Sequence, residues 1–271
     1  MADALGFAGL DVGQCEGVTI MERARSSWLR ALALQLAVCV ALLPLRTMAA
    51  EPANLEGTWK IATPQTSFKP EGGAVPFTAE GRKRYQQNKR AQAKGDFDSF
   101  DYATARCASP GLPRLMLTPA QMRIWQRPGI VTIRFEWNRL YRQIDMGGLM
   151  PQSRGNGPGD TEEDALIGRA IPIGKGSWDG DTLVVKTEGF AGNTLVDDLV
   201  PHGYDLKTTE RLRLRDQGTL EDRITIEDPE YFTKPWQTVV TYKRQPDEGF
   251  PDSVCLDSLK LDHWPPSGQG R

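Results

Sequence analysis

Apolar and polar side chains alternate with a period of two through the second half of this chain. In residues 130–137, Val131, Ile133, Phe135 and Trp137 share one face while Thr132, Arg134 and Glu136 share the other, which is the pattern of a half-buried strand. Residues 122–127 and 139–146 repeat it on either side, joined through Pro128-Gly129 and a short turn around Asn138. Residues 171–178 and 181–188 flank Asp179-Gly180, a two-residue turn suited to positive φ. Further strands are expected at 205–215, 218–227 and 236–245, and residues 55–63 read as a first strand.

Two stretches break the pattern. Residues 78–94, TAEGRKRYQQNKRAQAK, have helix-forming composition, with Thr78 as N-cap and Glu80 in the first turn. The helix is strongly basic and nearly lacks an apolar stripe, so it reads as a solvated surface helix, the alternative being a contact with an anionic partner. Residues 95–120, rich in proline and holding Cys107, are expected to form a long ordered loop. The glycine-rich segment 147–168 reads as a mobile loop over one barrel mouth, or as plain surface disorder.

Strands 205–215 and 218–227 carry the first chemical signal. Leu206, Thr208, Glu210, Leu212 and Leu214 share one face, and Leu220, Asp222, Ile224 and Ile226 share the matching one. The opposite faces hold basic and mixed rows that can pair across strands in solvent. That leaves Glu210 and Asp222 among apolar neighbours, where a carboxyl pKa rises and the group can act as a general acid or base. The bland alternative is neutralisation by an inward arginine, Arg134 or Arg244. Eight or more antiparallel strands with one surface helix predict a mainly β fold, an antiparallel barrel that removes exposed edges and has room for one small ligand; a two-sheet sandwich is the runner-up.

Residues 28–45 contain an apolar core interrupted by Arg30, Gln35 and Pro44, with Arg23 and Arg25 ahead of it and Thr47, Met48, Ala49 and Ala50 after it. This is the layout of a secretory signal, with cleavage expected after Ala49 and Met21 the expected start. Retention as a membrane span and acylation at Cys39 are the alternatives. Residues 1–50 are therefore set apart and 51–271 read as one barrel domain, periplasmic or secreted, with no integral membrane segment after cleavage. With 33 Lys+Arg against 35 Asp+Glu, nothing drives the chain toward nucleic acid. Cys107 and Cys255 remain after signal removal, an even pair that an oxidising compartment would join; two free thiols are the alternative.

His202 and His263 are the only histidines. His202, in the loop VPHGYDL, is the candidate imidazole catalyst, and two histidines so far apart give no expectation of a metal site. Tyr231 and Trp236 flank a strand corner where they could line a pocket for an aromatic or sterol-like compound, or serve as ordinary core plugs.

The segments GLPRLMLTPAQMRIWQRPGIVTIRFE, GKGSWDGDTLVVKTEGF, PHGYDLKTTERLRL and TIEDPEYFTKPWQ resemble a widespread family of exported, mostly uncharacterised bacterial proteins with a lipocalin-like barrel. The likeness covers most of residues 77–256 and implies partnered cysteines at Cys107 and Cys255. Gly57 and Trp59 are similar to the Gly-x-Trp start of lipocalins. Where such proteins carry a His-Ser pair ahead of the WDGDTLVV hairpin, this chain has Ile173 and Gly174. The Pro-His and Glu-Arg elements are kept as Pro201, His202, Glu210 and Arg211.

The resulting expectation is an exported barrel that binds a small hydrophobic or aromatic molecule through Arg134, Tyr231, Trp236 and Arg244. The alternative is a cofactor-independent lyase, decarboxylase or isomerase using Glu210, Asp222 and His202, since proton transfer needs no cofactor. An envelope structural protein docking through the basic helix is the third reading.

Overall fold

The computed structural model describes residues 52–148, 171–247 and 249–250. Among them nine strands follow one another around a closed barrel: β1 (Gly57–Ile61), β2 (Met122–Arg127), β3 (Ile130–Phe135), β4 (Tyr141–Asp145), β5 (Gly174–Asp179), β6 (Thr182–Glu188), β7 (Lys207–Asp216), β8 (Thr219–Glu227) and β9 (Trp236–Gln245), which pairs back onto β1. An odd number of neighbouring strands in a ring cannot alternate direction all the way round, so one pair must run parallel. That pair is β4 and β5, held by Ile144 opposite Gly174 and Asp145 opposite Lys175; the other pairings are antiparallel. A parallel pair cannot be closed by a hairpin and needs a long connection, which residues 146–173 supply. The expected mobile loop, 147–168, falls within this connection, whose residues 149–170 lie outside the described residues, as do the expected signal region, residues 1–50, and Cys255.

Alternation places one set of side chains inside. Trp59, Phe135, Ile133, Leu212, Ile224 and Val240 are fully or almost fully buried on the inner wall, each such apolar side chain contributing about 1.5–3 kcal/mol. The expected strand 130–137 stops at Phe135, because Asn138 and Arg139 take positive φ in the turn that follows. On the outer wall Glu221 accepts from both Arg213 and Arg215, as cross-strand alternation anticipated.

Arg244 closes one end. Its guanidinium lies 4.2 Å from the Trp59 ring centroid and donates to the carbonyls of Gln217 and Glu56 at 2.7 Å. Gly57, at φ 131°, lets it pass where a Cβ would collide with it.

The opposite end is covered by segment 62–121 and by the β6–β7 connection. Helix α1 (Ala79–Lys94) begins at Thr78, whose Oγ1 accepts from Gly81 N at 3.0 Å and donates to Glu230 O at 2.7 Å. Gly81 packs directly on the Tyr231 carbonyl, and Asn88 donates to Leu199 O at 2.9 Å, so a helix without an apolar stripe is docked by a glycine, a cap and an amide. A Thr78→Ala chain should lose about 1 kcal/mol in urea unfolding; an unchanged midpoint would mean that the Gly81 and Asn88 contacts suffice.

The region expected as one long loop contains helix α2 (Tyr102–Arg106) and 3-10 turns at Phe97–Ser99 and Arg114–Leu117. Asp101 caps α2 and accepts two hydrogen bonds from Arg114, at 2.6 and 2.9 Å; Arg114 also reaches Asp198 at 2.9 Å. Burial opposes ionisation of Asp101, but the Arg114 hydrogen bonds and charge outweigh it and hold its pKa below the usual value. No helix among the described residues is long and apolar enough to cross a bilayer.

Candidate functional site

Four polar side chains meet inside the barrel, where alternation would otherwise place hydrocarbon. Arg142 comes from β4, Glu210 from β7, Asp222 from β8 and Tyr242 from β9; Arg142 and Asp222 are 0% exposed and Glu210 is 1% exposed. The β7–β8 register sets Glu210 opposite Ile224 and Leu212 opposite Asp222, so the two carboxyl groups are diagonal neighbours on the inner face. Arg142 reaches them across the interior, since β4 and β7 are not adjacent. Its Nη1 donates to Glu210 Oε1 at 2.8 Å and its Nη2 to Oε2, the two-pronged geometry that suits guanidinium and carboxylate. Thr187 Oγ1 lies 3.4 Å from Nη2.

Met116, in the 3-10 turn Arg114–Leu117, packs onto this cluster, the polar chamber of the barrel. Met116 O accepts from the Tyr242 hydroxyl at 2.8 Å, and Met116 Sδ lies 3.6 Å from Arg142 Nη1.

Asp222 has no guanidinium of its own. Neither of its oxygens accepts from a protein donor and Arg142 Nε meets no acceptor, while the Asp222 carboxyl is within hydrogen-bonding reach of the Glu210 carboxylate, which helps hold its proton. Burial first, and then the Glu210 charge, push the Asp222 pKa well above the usual carboxylate range, with Arg142 pulling the other way. Asp222 therefore keeps its proton past the pH at which an ordinary aspartate loses it. Burial followed by the Asp222 and Glu210 charges likewise raises the Tyr242 phenol well above normal. For Arg142 burial works against the charge, and the Glu210 carboxylate overcomes it, raising its pKa. The chamber thus combines one ion pair, one carboxylic acid and one phenol in an apolar shell.

His202 stands elsewhere, in the β6–β7 connection. Its Nδ1 faces Gly203 O at 2.8 Å, its Nε2 lies 2.9 Å from Thr194 Oγ1, and Phe190 packs edge-on against the ring. A carbonyl only accepts, so Nδ1 carries hydrogen; the single Thr194 hydroxyl proton is shared between two acceptors within reach, Ala191 O at 2.8 Å and His202 Nε2. Burial lowers its pKa, opposed by the Gly203 carbonyl and the Asp228 charge. The folded state then binds that proton less well than the unfolded chain. Stability from this group is present above the ordinary imidazole value of 6.5 and is lost as pH falls toward the lower folded value. In an NMR titration the His202 ring resonance, assigned with a His202→Gln chain, should stay at its neutral position below pH 6.5; a normal midpoint would show the ring open to solvent. A cavity of about 200 Å³ borders His202, Tyr231, Arg84 and Asn88 outside the barrel.

The other expected ligand residues are dispersed. Arg134 sits on the outer face of β3, its guanidinium over the rings of Tyr141 and Phe250, because its neighbours Ile133 and Phe135 take the inner positions. Arg244 caps the barrel end over Trp59. Neither Arg134 nor Arg244 is the arginine that meets Glu210; Arg142 fills that role. Trp236 lies at the start of β9, edge-on to Phe232 with ring centroids 5.7 Å apart, and its buried Nε1 has no partner. Tyr231 is half-buried beside α1. Cys107 ends α2 at φ 55°. Among the described residues no group of three or more His, Cys, Asp or Glu side chains converges as metal ligands.

Comparisons with protein-family models, curated proteins and solved structures find no match to this chain. The chamber's chemistry is therefore read from its own geometry. Arg142 and Tyr242 are the members that the search for candidate residues passed over. Their signals were Leu140, Arg142, Ile144 and Met146 alternating through and just beyond the ends of β4, and Tyr242 standing two residues beyond Val240 on the inner face of β9.

Proposed function

We propose that this chain is an exported, lipocalin-like barrel that binds a small hydrophobic or aromatic molecule, with the ligand's polar group against Arg142, Glu210 and Asp222. The observation that carries this reading is Arg142 Nε, buried without a partner beside the Glu210 and Asp222 carboxyl groups in a largely apolar interior. A buried polar atom without a partner is uncommon in folded proteins and calls for an explanation, of which a bound polar group is one. On this reading the ligand displaces Met116, a side chain whose three rotatable bonds let it yield at low cost. Residues 1–50 act as an export signal, and Cys107 pairs with Cys255 in the oxidising compartment. The test is native mass spectrometry of the mature protein purified from its own envelope fraction, followed by organic extraction. A stoichiometric small molecule is expected. An empty protein that also fails to bind phenylnaphthylamine would overturn the proposal.

A second reading, a cofactor-independent lyase, decarboxylase or isomerase, is favoured by the separation of the two carboxyl groups. Glu210 is ion-paired with Arg142 while burial holds the proton on Asp222, an arrangement that offers one carboxylate and one carboxylic acid side by side. Asp222 would give a proton and Glu210 would take one, with His202 outside the reacting group. Loss of turnover in Asp222→Asn with ligand binding retained would support this reading over simple binding.

A further inference from the structure

The charges around the chamber can be summed residue by residue. Arg142 contributes one positive charge, and both of its terminal nitrogens are committed to Glu210. Glu210 returns one negative charge. Asp222, fully buried and with no cation of its own, stays neutral, since an unpaired carboxylate in an apolar interior is strongly disfavoured. Tyr242 is neutral and its hydroxyl proton is directed to Met116 O. Around the chamber the remaining inner positions are apolar or hydroxyl-bearing, as Ile144 on β4, Val185 and Thr187 on β6, Leu212 on β7, Ile224 on β8 and Val240 on β9.

We propose that the head group this cluster receives is uncharged: a carbonyl or hydroxyl oxygen that accepts from Arg142 Nε beside the Asp222 carboxyl, with carboxylates and ammonium groups rejected. This rests on the ligand-binding reading given above. A carboxylate would bring a charge into a neutral, desolvated cluster whose only guanidinium is already neutralised. An ammonium would lie beside that same guanidinium with no free anion to meet. A carbonyl or hydroxyl brings no charge, and it can satisfy the guanidinium nitrogen that has no partner in the protein.

The experiment uses the mature chain and four probes on one skeleton, acetonaphthone, naphthalene-ethanol, naphthoate and naphthylmethylammonium, titrated against bound phenylnaphthylamine. The ketone and the alcohol should displace it, with naphthoate and the amine weaker by on the order of a hundredfold. Glu210→Gln, which leaves the Arg142 charge uncompensated, should move the preference toward naphthoate by about tenfold or more. Naphthoate binding as tightly as acetonaphthone in the unaltered chain overturns the neutral-head assignment while leaving the barrel a ligand binder. A folded Glu210→Gln chain with an unchanged preference also overturns it. Absence of binding by phenylnaphthylamine and all four probes overturns the reading beneath it. The four titrations on the unaltered chain decide the proposal by themselves if Glu210→Gln does not fold.

Discussion

An Arg142→Leu chain should lose about 3–5 kcal/mol of unfolding free energy in urea at neutral pH, because it leaves Glu210 buried without its counter-ion. Replacing both partners, Arg142→Leu with Glu210→Leu, should recover most of the loss, because a well-packed apolar pair can match a buried ion pair in stability. If the single variant unfolds at the original urea midpoint, the bridge across the interior contributes nothing to stability. If the double variant is as weak as the single one, Arg142 acts through packing along its stem and not through its charge.

Asp222→Asn should act in the opposite direction. The folded state holds the Asp222 proton more tightly than the unfolded chain does, so raising the pH above the ordinary value of 3.8 favours unfolding until the raised folded pKa is passed. The group's contribution is therefore complete at low pH and declines as pH rises. Asparagine keeps the shape and never ionises. The variant should be more stable at neutral pH by on the order of 1–3 kcal/mol, with the gain fading as the pH approaches that of an ordinary aspartate. Equal or lower stability at neutral pH would show that Asp222 is ionised and paired in the folded protein. Stabilisation by removal of a buried acid would also mark Asp222 as a residue whose chemistry is kept at the expense of the fold.

Much of the barrel was legible because its signal is local. A period of two fixes which face of a strand is buried, and β2 and β9 were bounded in the sequence as they stand in the structure. Glu210 and Asp222 could be placed on the inner wall from alternation alone, one residue at a time. What escaped was long-range. Arg142 meets Glu210 only because β4 and β7 face each other across a closed ring, and no spacing along the chain encodes that distance. Arg134 and Arg244 were reasonable candidates for the same reason: from sequence, any arginine near an apolar strand can reach inward. His202 was grouped with the carboxylates by its chemistry, whereas the β6–β7 connection folds it against Thr194 and Phe190. The parallel β4–β5 pair follows from the parity of nine, which could be applied only once the strands were counted and the ring known to close.

Closure of the barrel through β1 and β9 has a consequence for how the chain is made. Strand β1 is synthesised early, but one of its two neighbours, residues 236–245, emerges only after nearly all the others. Until then β1 can pair with β2 alone, and one edge of the sheet stays open to other strands. Joining positions so far apart makes folding slow and leaves apolar strands exposed during synthesis. A chain truncated before Trp236 would hence be expected to aggregate rather than to form a smaller barrel.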